Sequence, residues 1–216
     1  MGDTQTIHKL FDLLDDWRHL PAYQLERRAD IFFALYLDKI IKQKTGVDID
    51  FIIPEFPVRV GEISEKNPHI NQSFKIDYLA YSKESERVFL VELKTDQRSR
   101  RDKQDWYLQR TAQIQVKGIL EGLKKIYKAT HQKVKYNYLL DKLQQMGWLT
   151  RTEKSFDINN INISPEILYI QPKNTTNDDS VISFDDVITA LSNTNDELAK
   201  RFVVSLEKWK GDVNKI

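Results

Sequence analysis

The chain has 216 residues, of which 40% are hydrophobic and 30% charged, with a net charge of +1. That is enough apolar material for a core and argues against wholesale disorder. There is no cysteine, which excludes disulfides, thiol nucleophiles and cysteine zinc sites. The longest apolar run, Ile31 to Leu37, is far too short to span a bilayer. No basic segment followed by an apolar stretch marks the N-terminus, so the expectation is a soluble, cytoplasmic protein without a membrane partner. His8, His19, His69 and His131 are too scattered to form a local metal motif.

Ile7, Leu10, Phe11, Leu13 and Leu14 recur at helical spacing and predict a first helix ending near Leu20. Pro21 is placed to open a second helix. Its face would run from Leu25 through Ala29, Phe32, Phe33, Tyr36, Leu37, Ile40 and Ile41, with Gly46 as the stop. Asp48 to Val60 is strand-like, and Pro54 and Pro57 suit an edge or a bend. Residues 61–73 read as a polar loop. Phe74 to Tyr81 and Arg87 to Thr95 are the clearest strands, joined by a turn over Ser82 to Glu86. Asp102 to about Ala129 predicts one long helix, with Trp106 expected in the core, and Tyr136 to Met146 another, stopped by Gly147. A short strand is expected at Ile167 to Gln171, a loop at Asn174 to Ser180, and a final helix from about Asp196 to Lys210. This order predicts a single α/β or α+β domain around a mixed sheet.

The hairpin carries the chemistry. With the turn centred between Glu84 and Ser85, Tyr81 faces Val88, Leu79 faces Leu90, Asp77 faces Glu92 and Lys75 faces Lys94. Asp77, Glu92 and Lys94 then share one face of the sheet. Two carboxylates opposed across strands, with Cβ atoms about 4.5–5.5 Å apart, are destabilising. At about 4 Å, like charges repel by roughly 1 to 4 kcal/mol, depending on solvent access. A divalent cation between them relieves this. Mg²⁺ suits two carboxylates, and the Leu93 carbonyl is a candidate third ligand. Lys94 supplies a point charge for a water or a developing phosphate charge. The set suits metal-assisted phosphodiester hydrolysis. The structural alternative is an exposed hairpin in which both acids pair with Lys75 and Lys94.

Asp77 followed by Glu92-Leu93-Lys94 on the next strand resembles the PD-(D/E)XK nuclease superfamily, as does the order of elements over residues 22–171. The resemblance implies a restriction-endonuclease-like α/β core. Its order would be α-β-β-β-α-β around a central mixed sheet of about four strands, with extra N- and C-terminal helices and residues 172–216 as an acidic, helical extension. It implies that Asp77 and Glu92 bind Mg²⁺ (or Mn²⁺), that Lys94 assists the attacking water, and that a helix glutamate joins them, for which Glu26 is the match. Ile76 stands where the motif's proline would be. Gln104 and Tyr107 resemble an auxiliary Gln/Tyr pair of exonuclease-like members, at a spacing of three instead of four.

DNA is the expected partner. Arg98, Arg100, Arg101 and Lys103 follow the motif directly and are candidate phosphate contacts. Lysines from Lys117 to Lys135 form a second basic stretch, with a solvated helix end as the alternative, while 174–199 is acidic. Tyr138 to Trp148 faintly resembles a winged-helix segment followed by a small hairpin. A non-catalytic nucleic-acid-binding or assembly protein on the same scaffold is the alternative to a nuclease. The oligomeric state, including a homo-oligomer, is left open.

Overall fold

A computed structural model describes residues 2–64, 68–97 and 102–211. In chain order the elements are α1 (Gly2–Trp17), α2 (Leu25–Leu35), α3 (Leu37–Thr45), β1 (Phe51–Arg59), α4 (Val60–Ile63), β2 (Ser73–Ser82) and β3 (Arg87–Leu93). There follow α5 (Asp102–Gln113), α6 (Gln115–Ala129), α7 (Lys133–Gln145), β4 (Leu149–Arg151), β5 (Phe156–Ile158), β6 (Glu166–Gln171), β7 (Val181–Ser183), α8 (Phe184–Leu191) and α9 (Glu197–Gly211). The fold is mixed α/β. Strand order in the main sheet is β1-β2-β3-β6-β7, five strands where about four were expected, and β4 and β5 make a separate antiparallel pair. None of the described helices is long and apolar enough to cross a membrane.

The chain divides into two compact units. The first comprises Met1–Ile49, Glu92–Arg100 and Leu168–Ile216; the second comprises Asp50–Val91 and Arg101–Ile167.

In the second unit, β1 and β2 run antiparallel from Phe51↔Tyr81 to Arg59↔Ser73. Both prolines of β1 are accommodated because β1 is an edge of the sheet. The β2–β3 hairpin pairs Tyr81 with Val88 and Leu79 with Leu90, the register expected from the turn. Residues 88–93 of β3 are all buried, which is how a strand covered on both faces reads in sequence. Tyr81 meets Trp148 edge-on at 5.0 Å. The small β4–β5 hairpin follows α7, as the pattern after Tyr138 suggested.

In the first unit, β6 and β7 are parallel, from Tyr169↔Val181 to Gln171↔Ser183. Ser183 caps α8 reciprocally with Asp186. Phe33 packs on Phe184 and on Phe202, with centroids 5.7 and 5.0 Å apart, and Phe11 joins the same cluster.

Several expected elements are corrected. The helix predicted to open at Pro21 starts at Leu25 and breaks at Tyr36, where φ is −118°. The break lets the tyrosine hydroxyl donate to the Asp196 carboxylate while Ile40 and Ile41 stay buried. The single helix predicted from Asp102 is two. Gln115 adopts φ +58°, and segment 163–164 captures the backbone there: Val116 N donates to the Ile163 carbonyl at 2.9 Å and Gln115 Nε2 to Ser164 Oγ at 3.3 Å. The loop expected at 61–73 begins with the last residues of α4. Trp106, expected in the core, is exposed. Gly46 and Gly147, read as helix stops, do adopt left-handed φ of 74° and 80°.

Candidate active site

The last two residues of β3, Glu92 and Leu93, belong to the first unit, as does Lys94. Lys94 N donates to the Ile170 carbonyl at 2.8 Å, so the β6 backbone fixes the residue at the strand end. The stretch beyond is tied down as well. Gln97 Nε2 donates to the Lys173 carbonyl at 3.2 Å, and Lys173 N donates back to Gln97 Oε1 at 3.1 Å.

The Lys94 ammonium lies 2.8 Å from Glu92 Oε1 and 3.5 Å from Glu26 Oε1. The side chains of Lys94 and Glu92 are 6% and 5% exposed, whereas that of Glu26 is 34% exposed. Glu26 stands in the first turn of α2, where the helix dipole favours a carboxylate. One face of α2 is buried through Leu25, Ala29 and Phe33. Thus two carboxylates from elements far apart in sequence converge on one buried cation. Isolated burial of either charge would be costly, and pairing is what makes it tolerable.

Of the residues singled out from sequence, Glu26, Glu92 and Lys94 come together. Asp77 stands on β2 in the second unit, half-buried between the buried Ile76 and Tyr78. The observed β2–β3 pairs end at Tyr78↔Val91. Leu93 is buried. Arg98, Arg100 and Arg101 lie outside the described residues. Lys103 is exposed, with its ammonium 5.7 Å from the Tyr107 ring centroid. Tyr107 stacks on Phe74 at 4.9 Å with an interplanar angle of 16°, so Phe74 covers one face of the proposed auxiliary ring. Gln104 is half-buried on the same helix. Among the described residues, no group of three or more histidines, aspartates or glutamates is arranged to hold a metal ion.

Two features escaped the sequence reading. Glu55 on β1 is exposed, has φ +50°, and lies between the pairs Pro54↔Tyr78 and Phe56↔Ile76 that flank Asp77. Nothing in its alternation distinguishes it. The reciprocal Gln97–Lys173 pair was invisible because its partners are 76 residues apart.

Comparison with family models, with curated proteins and with solved structures finds no match for this chain.

Proposed function

We propose that the protein is a divalent-metal-dependent nuclease of the PD-(D/E)XK type that hydrolyses phosphodiester bonds in DNA. The observation that carries this reading is the buried Lys94 ammonium held between Glu92 and Glu26 at a strand end. Asp77 is included on the sequence motif, in which it precedes Glu92-Leu93-Lys94 on the next strand. A hard cation fits this donor set by its chemistry. Mg²⁺ characteristically takes one or two carboxylates and completes its shell with waters and phosphate oxygens. Asp77, Glu92 and the Leu93 carbonyl would hold it, with Glu26 auxiliary. When bound, such an ion supplies Lewis-acid polarisation of a phosphoryl oxygen.

The chain's own residues do the rest. Lys94 has three rotatable donors. Glu92 orients the ammonium at 2.8 Å, and its positive charge lies where it would offset the negative charge that builds on the phosphoryl group. Glu26, one-third exposed, is the carboxylate that meets solvent and takes a proton from the attacking water. Arg98, Arg100, Arg101 and Lys103 hold the substrate backbone without reading sequence.

The test is hydrolysis of plasmid and single-stranded DNA with Mg²⁺ or Mn²⁺, with folding followed by circular dichroism. Lys94→Met, Asp77→Asn and Glu92→Gln are each expected to lose roughly 100- to 1000-fold in rate. Equal rates in wild type and all three variants overturn the proposal. The mutual neutralisation of Glu92 and Lys94 at 2.8 Å favours one other reading, a non-catalytic nucleic-acid-binding scaffold. Its signature is salt-dependent DNA affinity with no cleavage under any divalent ion.

A further inference from the structure

The second unit carries a concentration of positive charge that the proposed active site does not use. From Gln115 to Arg151 there are eight lysines and arginines against two acids, in a chain of net charge +1. Several are committed to the fold. Lys124 pairs with Asp157 at 3.3 Å, Lys125 with Glu62 at 2.7 Å, and Arg151 with Asp141 at 2.7 Å. Lys133 donates to the Tyr127 carbonyl and sits 4.1 Å from that ring's centroid.

The outer strip of α7 is different. Val134, Lys135, Tyr138 and Lys142 fall at spacings of three and four, on one helix face. Val134 is 84% and Tyr138 67% exposed. Lys142 Nζ lies 5.1 Å from the Tyr138 ring centroid, and Lys135 makes no ion pair among the described residues. Behind the strip the helix is braced. Leu140 and Leu143 are buried, and Arg151 donates to the Asn137 carbonyl at 3.1 Å and to Asn137 Oδ1 at 3.0 Å. A fixed helix thus presents an aromatic ring between two cations.

We propose that this strip binds a single-stranded nucleic acid, with Tyr138 stacking on a base and Lys135 and Lys142 meeting the flanking phosphates. The exposed ring decides between possible polyanions. An acidic peptide or a duplex backbone uses only the charges, whereas an unstacked base offers a π-face that pairs with a tyrosine between cations. The identity of the polyanion rests on the proposed nuclease function; the surface itself does not depend on cleavage.

The experiment is fluorescence anisotropy with a labelled oligothymidylate in EDTA, across a salt series, with poly-glutamate as competitor. Wild type should bind with an affinity that falls steeply with salt. Tyr138→Ala should weaken binding about tenfold while Tyr138→Phe retains it. Lys135→Glu combined with Lys142→Glu should lower the logarithmic salt slope by about 0.7 for each phosphate no longer neutralised. Wild-type affinity in Tyr138→Ala and in the double variant overturns the inference, and so does competition by poly-glutamate as effective as by oligothymidylate itself. Because no metal is present, a protein that binds through α7 yet never cleaves sinks the nuclease reading and leaves this one standing. A protein that cleaves while these variants bind normally does the reverse.

Discussion

Arg201 and Lys94 are both buried cations of the first unit, each facing two carboxylates, yet they are held in opposite ways. Arg201, 4% exposed on α9, donates to Asp12 at 2.7 Å, to Asp15 at 3.0 Å and to Ser205 at 2.7 Å, and its guanidinium lies 5.4 Å from the Phe11 ring centroid. Asp15 also accepts from Lys208 at 2.7 Å and from Trp209 Nε1 at 2.9 Å. A rigid fork is thereby met by acceptors from α1 and its own helix, and the arrangement clasps α1 to α9. Lys94 lies 2.8 Å from Glu92 and 3.5 Å from Glu26, and the Glu26 side chain is one-third exposed. The first is a closed structural network. The second sets a buried point charge beside a carboxylate that is one-third exposed. Arg and Lys are not interchangeable in these two roles.

The widest gap should appear on deleting each cation. Arg201→Ala removes a buried guanidinium that donates to Asp12, Asp15 and Ser205 and is expected to cost about 3–5 kcal/mol in urea unfolding. Lys94→Met should cost less, about 2–3 kcal/mol in metal-free buffer, because its Glu26 partner is one-third exposed and 3.5 Å away. Mg²⁺ or Mn²⁺ should then raise the melting temperature of the Lys94 variant more than that of wild type or the Arg201 variant, by binding the carboxylates left behind. Equal metal responses in all three would mean that the acids around Lys94 form no cation site, and the two networks would differ in strength alone.

This contrast was only half legible in the sequence. The β2–β3 register could be read because alternation and a short turn constrain it locally. Glu26 could not be found from spacing, since it lies 68 residues from Lys94; it entered through resemblance alone. The Arg201 network went unnoticed because Asp12, Asp15, Arg201 and Lys208 read as ordinary charged helix faces until α1 and α9 pack together. The breaks at Tyr36 and Gln115 were hidden for a related reason. Helical apolar spacing continues through both, and the forces that break the helices come from Asp196 and from segment 163–164, remote in sequence. The capping box of Ser183 and Asp186 was present to be read, but β7, only three residues long, gives too little pattern to announce the helix behind it.

Acid should sharpen the comparison further. Burial pushes the Asp15 carboxyl up, but donors from Lys208, Ser205, Arg201 and Trp209 together hold it below the usual carboxylate value. A depressed folded-state value stabilises the fold above the unfolded value of about 3.9 and is lost as pH falls through the folded one. Asp15→Asn is therefore expected to cost about 1–2 kcal/mol at neutral pH. Its deficit relative to wild type should shrink as pH drops below about 4, as followed by urea unfolding across pH. A deficit constant with pH would mean that the carboxylate's charge contributes nothing to the clasp.

The smallest stability effect should fall on the residue with the largest separation between stability and activity. Glu26 is partly exposed and reaches Lys94 at 3.5 Å, so Glu26→Gln should change unfolding free energy by less than about 0.5 kcal/mol. The substitution keeps the shape and a hydrogen-bonding oxygen but removes the proton acceptor. If Glu26 takes a proton during cleavage, the rate should fall about 100-fold, and the rise of rate with pH should flatten. Asp12→Asn, which alters the exposed partner of Arg201, should leave cleavage untouched while costing a similar fraction of a kcal/mol. A Glu26 variant that cleaves at the wild-type rate would place that carboxylate with Asp12, as a peripheral partner of a buried cation, and would leave Glu92 and Asp77 to carry the proposed chemistry with Lys94.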